Sequence, residues 1–141
     1  MNRLIFILLL ASAGFWFAAN SSAQVVIIAN ANMKVESISK DDVRDIFTGA
    51  STSLRFGPHA RPVLLNKGKV HEEFMSTYLL GMKDAEFRSG WRGLMFAGKM
   101  VLPPSFETEG EVVDYVAHHP FTLGYIHAKT PHDGVKVLAG Q

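Results

Sequence analysis

Beyond residue 24, short apolar runs rich in β-branched residues alternate with stretches whose apolar residues recur at helical spacing, and this leaves few folds open. Residues 25–29, Val-Val-Ile-Ile-Ala, are continuously apolar rather than alternating. A strand with apolar side chains on both faces belongs inside a sheet that is covered on both sides. The run therefore predicts a central strand. Pro62 to Leu65 offers a second, with Pro62 at its first position, where a missing N–H costs least. Residues 123–127 and 135–138 read as two more.

Helices are expected between these strands. Ser39 stands before Asp41 and Asp42, the apolar residues Val43, Ile46 and Phe47 share a face, and Gly49 supplies a stop. Residues 50–58 are rich in Ser, Thr, Gly and Pro and read as loop. From Val70, the residues Phe74, Met75, Tyr78 and Leu79 form a stripe that ends at Gly81. Phe87, Trp91, Leu94 and Met95 repeat the pattern and predict a third, core-facing helix, interrupted only by Gly90 and Gly93. After the break at Pro103-Pro104, Thr108 and Glu111 make a T-x-x-E capping box for a fourth helix that ends near His118-His119-Pro120. Strands alternating with helices predict an α/β fold, a mostly parallel sheet in a three-layer α/β/α sandwich.

The first 23 residues read differently. Arg3, the apolar run 4–19 and the small polar stretch before Ala23 have the three parts of a secretory signal, with cleavage expected after Ala23. Export to the periplasm follows, without stable membrane insertion after cleavage. Removing residues 1–23 from the 141 leaves 118, enough for one domain over 24–141. There is no cysteine, so neither a lipid anchor on cysteine nor a disulfide is available, and packing alone must hold the fold. The leader carries one of the 14 basic residues and none of the 13 acidic ones, leaving 13 of each. A neutral mature chain argues against a general affinity for nucleic acid.

Enzyme motifs are missing. The chain has no cysteine nucleophile, no G-x-S-x-G elbow, no phosphate loop and no dinucleotide fingerprint. Glu72, Glu73, Glu107, Glu109 and Glu111 lie on or beside expected helix starts, where the dipole and the capping box account for them. Six histidines raise the question of a metal, but His118 and His119 are adjacent and diverge on a helix end, and His127 and His132 flank a turn. The residues thus predict a non-enzymatic protein without metal or cofactor.

One segment is chemically distinct. No acidic residue lies between Asp45 and Glu72, whereas Arg55, His59, Arg61, Lys67, Lys69 and His71 all do. At its end, Asn66-Lys67-Gly68-Lys69 joins the second strand to a helix, whose N-terminal N–H groups and partial positive charge suit an oxyanion. Gly68 allows close backbone approach, and Lys67, Lys69 and His71 add charge, while Glu72 and Glu73 oppose it. Lys67, Gly68, Lys69, Val70 and His71 are the candidate ligand contacts.

Ser39-Lys-Asp-Asp-Val-Arg-Asp-Ile-Phe-Thr-Gly49 resembles the segment that opens the second lobe of periplasmic phosphate-binding proteins of ABC transporters. Arg61-Pro-Val-Leu-Leu, Phe74, Leu79-Leu80-Gly81, Trp91 and Leu123-Gly124-Tyr125-Ile126 follow in that family's order and spacing, so the resemblance covers about residues 25–127. It implies one lobe of a type II periplasmic binding protein, a solute-binding-protein-like domain that takes phosphate or a related oxyanion for ABC-type uptake or sensing and meets a membrane permease. The mature chain is about half the length such two-lobed proteins need. The family's Ser-Gly-Thr-Arg element falls on Gly68-Lys69-Val70-His71, without either hydroxyl or the arginine. A lobe so altered has an alternative role, docking another envelope protein through the surface a second lobe would cover, with Val70 as an apolar contact.

Overall fold

The computed structural model describes residues 24–140; the expected signal and its cleavage after Ala23 lie outside the described residues. The continuous apolar run becomes β1 (Val25–Asn30), which takes the middle of a five-stranded sheet. Along the chain follow β2 (Ser37–Ile38), α1 (Lys40–Thr48), β3 (Arg61–Pro62), β4 (Leu64–Leu65), α2 (Lys69–Tyr78), α3 (Asp84–Phe96), β5 (Ser105–Phe106), α4 (Glu109–His118), β6 (Thr122–His127) and β7 (Val135–Gly140). The sheet order is β2-β7-β1-β6-β3, and β4 and β5 form a separate parallel pair.

The sheet is mixed, which corrects the mostly parallel expectation. β1 runs antiparallel to both β6 and β7, while β2 is parallel to β7 and β3 to β6. An unbroken apolar run signals burial on both faces, and burial is the same for either direction. Direction depends on which strands become neighbours, and here β1 slots between two late strands to which no single helix connects it.

The segment Pro62 to Leu65 is also two strands rather than one. The Val63 N–H donates to the Leu123 carbonyl at 2.8 Å, but the next N–H, of Leu64, donates to the Pro104 carbonyl at 2.9 Å. The chain thus changes partners within one residue. Pro62 occupies the second position of β3 rather than the first, tolerated because β3 is an edge strand.

Successive residues of β6 define the layers. Gly124 faces α4: a Cβ there would come within 2.7 Å of Val112 and 3.2 Å of Val116, so the missing side chain lets the helix lie close on the sheet. Tyr125 faces the other way, stacked on Phe74 of α2 at 3.8 Å and edge-on to Phe47 of α1 at 5.7 Å. Helices on both faces make the three-layer α/β/α sandwich expected from the sequence.

The caps form as their residues dictate. Ser39 accepts from Asp42 N–H at the start of α1, Gly49 closes it in the left-handed region, and Thr108 accepts from Glu111 N–H at the start of α4. The stripe of α3 buries Phe87 and Trp91, and the Trp91 indole N–H donates to the Phe47 carbonyl at 2.9 Å. Met95 does not share that burial and lies at the surface.

Candidate functional site

The connection from β4 to α2 is fastened at its first residue. Asn66 N–H donates to the Phe106 carbonyl at 2.9 Å, its side-chain amide donates to Glu107 Oε1 at 2.6 Å, and its carbonyl accepts from Arg88 Nη2 at 2.7 Å. Gly68 then takes φ 107° and ψ 176° as the residue preceding α2, a conformation that disfavours a side chain, with open space where a Cβ would point. No side chain caps the helix, and its first intrahelical bond is Glu72 N–H to the Gly68 carbonyl. Unsatisfied backbone donors and the positive end of the dipole therefore face outward here.

The five candidate contacts divide by burial. Lys67, Gly68 and Lys69 are exposed. Val70 is half-buried and packs against the core. His71 is only 3% exposed, and both of its ring nitrogens are occupied.

Those bonds order the ring. Tyr125 Oη accepts from the Leu65 N–H at 3.0 Å, which leaves the phenolic hydrogen to be donated to His71 Nδ1 at 2.6 Å. His71 Nε2–H then donates to Asp84 Oδ1 at 2.8 Å, and Arg88 Nε donates to Asp84 Oδ2 at 2.8 Å. The neutral Nε2–H tautomer satisfies every member of the chain. Burial alone would raise the Asp84 pKa, but the hydrogen bonds from His71 and Arg88 hold it below the usual carboxylate range. Burial pushes the Tyr125 hydroxyl well above its ordinary value, so it stays protonated.

Arg88 links this chain to the loop through the Asn66 carbonyl. The acid-free segment thus supplies one internal positioning group, His71, and two outward cations, Lys67 and Lys69. Arg61 and His59 are carried elsewhere, to the outer edge of β3. The opposing Glu72 lies exposed in the first turn of α2, and Glu73 beyond it has one buried carboxylate oxygen without a hydrogen-bond partner.

No family model matches the chain, and no curated protein matches it in sequence. Solved structures do match in fold. An ABC-type phosphate transport receptor of Vibrio cholerae superposes with a TM-score of 0.61 at 15% identity, over 82% of this chain and 45% of its own. PstS of Borrelia burgdorferi gives 0.62 at 15% identity, over 83% and 47%. A Clostridium perfringens protein, assigned as a phosphate ABC transporter substrate-binding protein and solved with phosphate bound, gives 0.61 at 19% identity, over 82% and 44%. The fold is that of a lobe of these proteins. The chain spans less than half the length of each.

Reading the residues alone missed Tyr125, Asp84 and Arg88 as partners of His71. The signal for His71 itself was present: it lies three before Phe74 and four before Met75, on the buried stripe of α2. Nothing in the spacing of Asp84, Arg88 and Tyr125 announces them, because they come from α3 and β6 and meet only in the packed fold.

Proposed function

We propose that the chain is an exported, non-enzymatic solute-binding lobe that takes phosphate or a related oxyanion for uptake or sensing in the periplasm. The contacts are the backbone N–H groups from Gly68 to His71 and the side chains of Lys67 and Lys69. Val70 contributes only its N–H, and His71 its N–H and its role in holding the turn. In uptake, the loaded lobe would meet a membrane permease.

The observation that carries this reading is an uncapped α2 start flanked by two exposed lysines, on a fold shared with phosphate-transport binding proteins. Backbone donors at a helix start bind oxyanions without a dedicated side-chain set. Among the described residues the start of α2 is open to water, where each contact is weaker than in an enclosed cleft. The expected affinity is therefore modest.

Calorimetric titration with phosphate, repeated with sulfate and with a Lys67→Ala, Lys69→Ala double variant, tests it. A saturable phosphate signal that disappears in the variant is the expected result. Absence of both heat and thermal stabilisation at about millimolar phosphate would overturn the reading, since any ligand that binds only the folded state must raise its stability.

A further inference from the structure

A concavity lies away from the start of α2, and none of residues 67–71 lines it. It is a groove of about 770 Å³ along the outer edge of β3, with Trp91 and Tyr115 among its walls and the segment from Met100 to Pro104 opposite. Most of its lining is apolar, and no carboxylate takes part. Its ionisable cationic groups are Arg61 and His59. His59 Nδ1 is committed to the Thr52 carbonyl at 2.8 Å, whereas Arg61 is exposed, forms no ion pair among the described residues and reaches only the Pro120 carbonyl, at 3.4 Å.

Three side chains at the groove are exposed against their chemistry: Val101 at 87%, Phe121 at 46% and Leu102 at 42%. Phe121 also holds a positive φ of 60°, uncommon for an aromatic residue. Its carbonyl accepts from the Arg61 N–H at 2.7 Å, and the adjacent Thr122 hydroxyl donates to the His119 carbonyl at 2.8 Å. Strained residues fixed from both sides recur at ligand clamps. The walls are stiff as well, because Pro62, Pro103 and Pro104 have fixed φ. They also lack N–H donors, so the groove is poorly suited to adding a peptide strand through a backbone ladder.

We propose that this groove binds a small amphipathic organic anion, an alkyl or aryl carboxylate, with its apolar body against Val101, Leu102, Phe121 and Trp91 and its carboxylate on Arg61. The volume is in the range of small-molecule sites, and one charged group among apolar walls is the pattern by which such sites orient a ligand. Arg61 offers the two-pronged donor set that carboxylates match. The site is separate from the proposed oxyanion contacts and stands without them.

The test is binding of decanoate, with decanol as the uncharged comparison, followed by backbone amide NMR shifts in the chain expressed with its own N-terminus. Decanoate is expected to shift the amides of residues 100–102 and 121–122 and to bind about tenfold more tightly than decanol, the size of one charge-assisted bond. Arg61→Gln should remove that preference while decanol binding persists. Val101→Asp, at an exposed position where folding is not at stake, should abolish decanoate binding, and the Lys67→Ala, Lys69→Ala variant should leave it unchanged. Equal binding of acid and alcohol in the parent, or shifts elsewhere than the groove, would overturn the proposal. Absence of phosphate binding by the parent chain, with decanoate binding present, would overturn only the oxyanion reading.

Discussion

At the scale of single residues, the fold turns on His71 being an internal strut. Its ring links Tyr125 on β6 to Asp84 on α3, and Asp84 in turn holds Arg88 against the Asn66 carbonyl. Tyr125→Phe keeps the ring stack on Phe74 but leaves the Leu65 N–H and His71 Nδ1 unpartnered in the interior. Each such orphan costs about 1–3 kcal/mol, so urea denaturation of Tyr125→Phe should show a loss of about 2–6 kcal/mol. Asp84 carries a pH signature. Its folded value is depressed, so its contribution is complete above the ordinary carboxylate range, about pH 4, and is lost as pH falls below that through the folded value. The stability gap between the parent and Asp84→Asn, followed by urea titration, should therefore be constant near neutrality and narrow in acid. A gap that widened in acid would remove Asp84 from this role.

At the scale of elements, each helix reads from the residues at its ends, while its distance from the sheet does not. The start of α1 at Ser39 and the start of α4 at Thr108 fall where hydroxyl caps demand, because capping is a local exchange of hydrogen bonds. How closely α4 lies on β6 depends on Gly124, through Val112 and Val116. Gly124→Ala would force a Cβ to 2.7 Å from Val112, and overpacking of that kind costs about 1–3 kcal/mol, measurable as a lowered urea midpoint with an unchanged slope. On α2, residues 71, 74, 75 and 78 share one face, so the spacing of His71 turns its ring to the core and leaves only its backbone N–H for the proposed contact.

At the scale of the whole molecule, residues 24–140 make one three-layer unit whose acid-free segment has been divided. Lys67 and Lys69 stand at the start of α2, Arg61 and His59 line the groove beyond β3, and Arg55 sits on the loop after α1, where its N–H donates to Asp42. Basic residues of one segment thus stand on separate surfaces. The chain spans less than half the length of the solved structures of similar fold, and among the described residues the start of α2 is open to water. That is the physical reason the phosphate titration is expected to give modest affinity, with the lysine variant as its control.

By itself, the sequence determined what depends on near neighbours: the α/β alternation, the central burial of β1, the hydroxyl caps of α1 and α4, and the uncapped glycine before α2. These follow from periodicity, turn chemistry and backbone hydrogen bonding, which act over a few residues. Only the tertiary structure decided the antiparallel placement of β1 between β6 and β7, the partner exchange at Val63, the enclosure of His71 by Tyr125 and Asp84, and the groove beside β3. Each joins residues far apart in the chain, and their meeting depends on which surfaces bury most area together, a property of the packed molecule rather than of any segment.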